Sequence, residues 1–160
     1  MSLNHLNLLL ADDDIDDRLF FKEALKELPV STHLATVHDG EQLMHLLLKE
    51  TYELPHVLFL DLNMPRKNGF ECLSEIKLNK KLKQLPVIIF STSLDQEVLN
   101  LLYKNGAQYY IRKPAKFSQL KQIIEQTLTL ITQCQPADEA GNISQPIREN
   151  FVLTAQPVYY

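Results

Sequence analysis

The sequence predicts an α/β fold, a three-layer α/β/α sandwich built on a parallel sheet, and three observations carry that prediction. Short apolar runs alternate with stretches of helical periodicity along residues 5–133. The runs at residues 57–60 and 87–90 are apolar almost throughout, as strands buried on both faces are. Strands separated by helices pair in parallel through crossovers, and right-handed crossovers place helices on both faces of the sheet.

Five βα units follow in order. The first strand, residues 5–11, runs into Asp12 and Asp13; a helix then carries Phe21, Ala24, Leu25 and Leu28 at i, i+3, i+4, i+7 and stops at Pro29. Residues 31–37 alternate as a strand, Asp39-Gly40 turns, and a second helix presents Leu43, Leu46 and Leu47. Pro55 precedes the third strand at 56–60. After a loop at 65–69, a third helix at 70–78 turns Leu73 and Ile76 inward. Pro86 opens the fourth strand at 87–90. Asp95 stands where a helix N-cap is wanted and Gly106 where a stop is wanted, with Val98, Leu101 and Leu102 as the expected buried stripe between them. Residues 109–112 make a short fifth strand. Phe117, Leu120, Ile124, Leu128 and Ile131 give the last helix its apolar face.

Residues 1–134 thus read as one domain. From residue 135 three prolines, a glycine and polar residues precede two apolar stretches, at 151–153 and 158–160. This 135–160 tail is expected to be flexible or to dock on this domain or on a neighbour.

Composition narrows the function classes. The chain is 45% hydrophobic and 22% charged with a net charge of −4, and it has no basic footprint of the kind that neutralises DNA phosphates. No apolar run approaches a membrane span, and no basic region precedes the first apolar stretch as in a signal peptide, so a cytoplasmic location is expected. Cys72 and Cys134 read as reduced thiols, Cys72 in the core, and the five histidines lack metal-ligand spacing.

The polar residues that end the apolar runs carry the chemistry. In an open parallel sheet the C-terminal strand ends share one edge, where ligands bind. That edge receives Asp12 and Asp13, Asp61, Ser91 and Lys113 from the first, third, fourth and fifth strands. Five of the six residues from Asp12 to Asp17 are aspartates. Like charges about 4 Å apart repel by ~4 kcal/mol at an effective dielectric near 20. Asp14, Asp16 and Asp17 are relieved most simply by solvent and the helix N-terminus. Asp12 and Asp13 face the crevice and suit Mg²⁺, which takes one or two carboxylates and several waters. A helix-capping role for Asp61 does not fit, because Asn63-Met64-Pro65 intervene before the next helix. Ser91 and Lys113, ordinary residues singly, together suit the oxygens of a phosphoryl group.

Residues 8–14 (LLLADDD), 60–65 (LDLNMP), 90–93 (FSTS) and 110–114 (YIRKP) resemble, in order and spacing, the motifs of the response-regulator receiver family of two-component signalling, in its single-domain chemotaxis form. The resemblance covers about residues 5 to 133. It implies a five-stranded sheet in the flavodoxin-like order 2-1-3-4-5. It also implies a phosphoaspartate-dependent switch: Asp61 accepts phosphate from a sensor histidine kinase or a histidine phosphotransfer protein. Asp13 binds Mg²⁺ directly, Asp12 largely through water, and Asp61 and the backbone carbonyl of Asn63 complete the set. Ser91 and Lys113 contact the phosphoryl group, Tyr110 changes rotamer as Ser91 moves, and the Lys113–Pro114 peptide is cis. Two positions depart from the usual pattern: Thr92 is larger than the common residue, and Ala115 replaces a frequent aromatic.

Such a protein signals to a downstream protein target without touching DNA or membrane. Leu99 and Tyr103 add apolar surface to the fourth helix, to be met by neighbouring elements or by a homodimer or partner at the fourth-helix, fifth-strand, fifth-helix face. Two other functions are weighed against the switch. A phosphate-independent adaptor would not need these five site residues intact. An aspartate-nucleophile phosphatase of the haloacid-dehalogenase kind wants Asp-x-Asp on the first strand, whereas the nucleophile here follows the third.

Overall fold

The computed structural model describes residues 5–93, 95–133 and 145–155. Strands β1 (Leu6–Ala11), β2 (Thr32–Val37), β3 (Val57–Leu60), β4 (Val87–Ser91) and β5 (Tyr109–Arg112) alternate with helices α1 (Ile15–Lys26), α2 (Gly40–Leu47), α3 (Gly69–Leu78), α4 (Gln96–Lys104) and α5 (Phe117–Thr132). A 3₁₀ turn, Arg148–Asn150, and a sixth strand, β6 (Val152–Leu153), follow. All pairings are parallel, in the order β2-β1-β3-β4-β5-β6. The five-stranded order expected from the sequence is present inside a sheet of six. The added strand comes from the tail, where two apolar residues are too short a run to announce a strand before β5 offers an edge to pair with.

Successive strand residues point to opposite faces, which divides the core in two. Leu9, Leu58, Leu60, Val87, Ile89 and Tyr110 pack beneath α2, α3 and α4. Leu8, Leu10, Val57, Phe59, Ile88, Phe90 and Ile111 pack beneath α1 and α5, where Phe21 lies edge-on to Phe59 and Phe90. Cys72 is buried in the first of these layers, and burial pushes its thiol up to about 12. Cys134 and the apolar stretch at 158–160 lie outside the described residues.

Side-chain caps start four of the helices. Asp14 accepts from the Asp16 and Asp17 N–H groups, Asp39 from Gln42, and Asp95 from Glu97 and Val98. Asn68 and Glu71 close a reciprocal capping box on α3, so Asp61 is left free of that duty. Gly106 follows α4 at φ 94°, the left-handed stop expected of it.

The buried stripe of α4 differs from the expected one. Leu99 and Leu102 are buried, Val98 is half-buried and Leu101 is 49% exposed. Residues 98, 99, 102 and 103 share one arc of the helix, and Leu101 lies just outside it. The apolar surplus at Leu99 and Tyr103 is met by neighbours. Leu99 belongs to the core, and the Tyr103 ring packs edge-on to Phe151 of the tail, with centroids 5.2 Å apart.

One close approach positions α3 over the sheet edge. A Cβ on Gly69 would lie 2.4 Å from the Asp61 carbonyl oxygen, while the Gly69 N–H donates to Leu62 O at 2.9 Å. Gly69→Ala therefore has to push the backbone that carries Asp61. Urea unfolding of this variant is expected to show a loss of about 1–3 kcal/mol with an unchanged denaturant slope.

Candidate functional site

The order of the sheet reverses beside β1, because β1 connects outward to β2 and the chain then returns to β3 on its other side. A crevice opens at such a point, beyond the C-terminal ends of the two strands. Asp12 directly follows β1 and Asp61 directly follows β3, and the Asp61 N–H donates to Ala11 O at 2.9 Å, locking the two strand ends together. Asp12 is fully buried, Asp61 is 5% exposed, and Asp13 opens to solvent. Asp12, Asp13 and Asp61 each place a carboxylate oxygen within 4.8 Å of the others.

Among the described residues, one cation answers this cluster. Lys113 Nζ lies 2.8 Å from Asp12 Oδ2, 2.8 Å from Asp17 Oδ2 and 3.7 Å from Asp61 Oδ1. Its ammonium lies over the Phe90 ring, 5.4 Å from the ring centroid. Its backbone N–H donates to Ser91 O at 2.8 Å, so the last residue of β4 and the first after β5 are joined. The Lys113–Pro114 peptide is not cis, contrary to expectation. The trans form is the lower in energy for an X–Pro bond by about 0.5–1 kcal/mol, and with it Lys113 makes all the contacts just described.

Burial sets the protonation of the site. It pushes the Asp61 carboxyl up to about 7; Lys113 opposes this, and the negative charge of Asp12 adds to it. Burial also raises Asp12, against the pull of Lys113 and the Asp14 N–H, which donates to Asp12 Oδ1 at 3.0 Å. For Lys113 burial works against the charge, but the contacts with Asp12 and Asp17 and the field of Asp61 outweigh it and hold the ammonium well above its ordinary value.

The donor set fits a divalent cation. It consists of oxygens alone, the choice of a hard ion, and the buried Asp12 Oδ2 has the Lys113 ammonium at 2.8 Å as its counter-charge. Asn63, also expected here, is exposed two residues beyond Asp61 and turns its N–H toward Asp61 Oδ1 at 3.5 Å. Ser91 is fully buried and its Oγ has no hydrogen-bond partner. Tyr110 is fully buried as well, and its hydroxyl donates to the backbone carbonyl of Ser93.

Two participants escaped the sequence reading. Asp17, assigned to solvent and the helix dipole, is a direct partner of Lys113. The available signal was its place in the first turn of α1, where side chains lean back toward the strand end. Arg18, the next residue, donates from Nη1 to the Asp12 carbonyl oxygen at 2.7 Å and so holds the loop between strand and helix.

Comparison with known proteins places the chain. Residues 8–125 match the family model of the response regulator receiver domain. Response regulator Rcp1 of Synechocystis is 31% identical over 122 residues, 74% of this chain and 83% of that protein. The phosphorylated cyanobacterial phytochrome response regulator RcpA superposes with a TM-score of 0.71 at 35% identity, covering 77% of this chain and 91% of that one. The Mn²⁺-bound form of Rcp1 gives 0.72 at 29% identity, with 78% and 93% covered. The chain belongs to the response-regulator receiver family, the phosphorylation-dependent signalling switches of two-component systems. Its acidic cluster is of the kind that holds a divalent metal, and among the described residues no helix is long and apolar enough to cross a membrane.

The raised Asp61 carboxyl makes a stability prediction. In metal-free buffer the folded state keeps this proton up to about pH 7, whereas the unfolded chain releases it near 3.8. Between those values the folded state binds more protons, so stability falls as pH rises and the loss is complete by pH 8. Asp61→Asn escapes it. The variant is expected to be more stable than the parent at pH 8, by up to about 4 kcal/mol, with the gap closing toward pH 4 and narrowing when a divalent cation is added. Thermal unfolding across pH, with and without the cation, measures this.

Proposed function

We propose that Asp61 is the phosphoacceptor of this receiver and takes its phosphoryl group from a sensor histidine kinase or a histidine phosphotransfer protein. The observation that carries the reading is the convergence of Asp12, Asp13 and Asp61 with the Lys113 ammonium 3.7 Å from Asp61 Oδ1. The Asp61 carboxylate oxygen attacks phosphorus, the phosphorus–nitrogen bond to the donor imidazole breaks, and an acyl phosphate forms on Asp61. The nucleophile has to be ionised, and its surroundings, burial foremost, hold it half-protonated near neutrality. Asp12, Asp13, Asp61 and the Asn63 carbonyl would hold Mg²⁺, which would supply the charge that keeps the carboxylate ionised and screens the incoming phosphoryl oxygens.

The chain's own residues do the rest. Lys113 is fixed and charged, and it turns from the carboxylates to the phosphoryl oxygens as a point charge. The unpartnered Ser91 Oγ gains an acceptor in one of those oxygens. Tyr110 responds through the β4–α4 loop, which bears its hydroxyl's acceptor, Ser93 O. The altered α4–β5–α5 face then signals to a protein target in the cytoplasm, with no direct contact to DNA. Self-association through that face requires the tail to leave it, because β6 takes the free edge of β5. The receiver is a phosphoacceptor that takes part in its own phosphorylation and dephosphorylation rather than a turnover enzyme. An intact set of Asp12, Asp13, Asp61, Ser91 and Lys113 argues against a phosphate-independent adaptor.

Incubation with acetyl phosphate and Mg²⁺ is expected to add one phosphoryl group, roughly 80 Da by intact mass. Asp61→Asn should take up none, and Asp13→Ala should bind Mg²⁺ more weakly. Labelling that persists in the Asn variant places the acceptor elsewhere, and steady turnover of a phosphoester makes the protein a phosphatase.

A further inference from the structure

The tail is built into the face that the switch is meant to alter. Gln145 Nε2 donates to Tyr103 O at 2.9 Å and Ala107 O at 2.7 Å, closing the C-terminal end of α4. The Tyr103 hydroxyl donates to Pro146 O at 2.6 Å, and Arg148 donates to Asn100 Oδ1 at 2.8 Å on the outer side of α4. Phe151 is fully buried between Tyr103 and Tyr110, with ring centroids 5.2 and 6.5 Å away. The Tyr110 N–H donates to Phe151 O at 3.0 Å, and β6 then pairs with β5 through Tyr110–Val152 and Ile111–Leu153.

Tyr110 is therefore held from two sides. Its hydroxyl is anchored on Ser93 O in the β4–α4 loop, and its ring and backbone support the docked segment. Ser91, two residues before that anchor, ends β4 with a buried hydroxyl that has no partner. A continuous set of contacts runs from Ser91 through the 91–93 backbone to Tyr110 and on to Phe151.

We propose that residues 145–155 are an intramolecular effector of the switch: their docking and phosphorylation at Asp61 favour one another. The inference rests on Asp61 being the phosphoacceptor. A phosphoryl oxygen that accepts from Ser91 Oγ orders the start of the loop, and an ordered loop fixes Ser93 O where Tyr110 needs it. With Tyr110 held inward, the Phe151 seat and the β5 edge are complete. Ordering paid for by one event need not be supplied again by the other, which makes the coupling positive. Linkage makes it reciprocal, so the docked segment raises the affinity of Asp61 for a phosphoryl group by the factor by which the phosphoryl group strengthens docking.

The test uses the full chain and follows two readouts together, intact mass for labelling and amide hydrogen exchange of residues 145–155. With Mg²⁺ and beryllium trifluoride, the stable phosphoryl mimic, the Val152 and Leu153 amides are expected to gain about five-fold or more in protection. Phe151→Ala, and the milder Phe151→Leu in case the first is poorly folded, should lower the labelled fraction at limiting acetyl phosphate. Tyr110→Phe, which keeps the ring and removes the hydroxyl on Ser93 O, should reduce the gain in protection. Unchanged or decreased protection in a protein whose Asp61 is labelled overturns the coupling and leaves the phosphoacceptor standing. Absence of label on the parent protein overturns both.

Discussion

Two carboxylates buried beside a single ammonium set the character of this molecule. Asp12 and Asp61 sit where water cannot screen them, and Lys113 is the cation in direct contact with both. At an effective dielectric near 20, a repulsion and an attraction at 4 Å each amount to ~4 kcal/mol. One positive charge facing Asp12, Asp17 and Asp61, with Asp13 at the rim, leaves an excess of negative charge. The same burial that pushes the Asp61 carboxyl up to about 7 makes a further cation welcome at the crevice. The site is thus electrostatically incomplete by construction.

The fold exists to hold that incompleteness still. Strands apolar on both faces can place a polar residue only where they end, and parallel pairing brings those ends to one edge. Backbone hydrogen bonds then tie the ends to each other, Asp61 N–H to Ala11 O and Lys113 N–H to Ser91 O, so acids and ammonium are fixed by the sheet rather than by loops. The helices are started by their own caps, and Gly69 lets α3 approach the Asp61 backbone more closely than any side chain would permit.

An exposed sheet edge is a liability. Here the β5 edge is covered by β6, and the aromatic Phe151 fills the space between Tyr103 and Tyr110. The surface on this side is therefore a composite of α4 and the chain's own C-terminal segment, with Arg148 laid along Gln96 and Asn100. The α4 and β5 surface and the chain's C-terminal segment form one packed unit with Tyr110 at the centre.

Residue pattern alone determined the layered fold, its five core strands and the identity of the acids, the hydroxyl and the ammonium at the sheet edge. Each of these is written locally, in a period of two or 3.6 and in the first polar residue after an apolar run. Asp95 and Gly106 announced the ends of α4 for the same reason. Only the tertiary structure decided that Asp17 pairs with Lys113, that Leu101 rather than Leu99 faces out, and that residues 152 and 153 become a strand. Those outcomes depend on partners far away along the chain: β5 lies some forty residues before β6, and Lys113 is 96 residues from Asp17. A local period carries no information about a contact between segments so far apart, because the free energy that selects it is released only when the rest of the sheet is already in place.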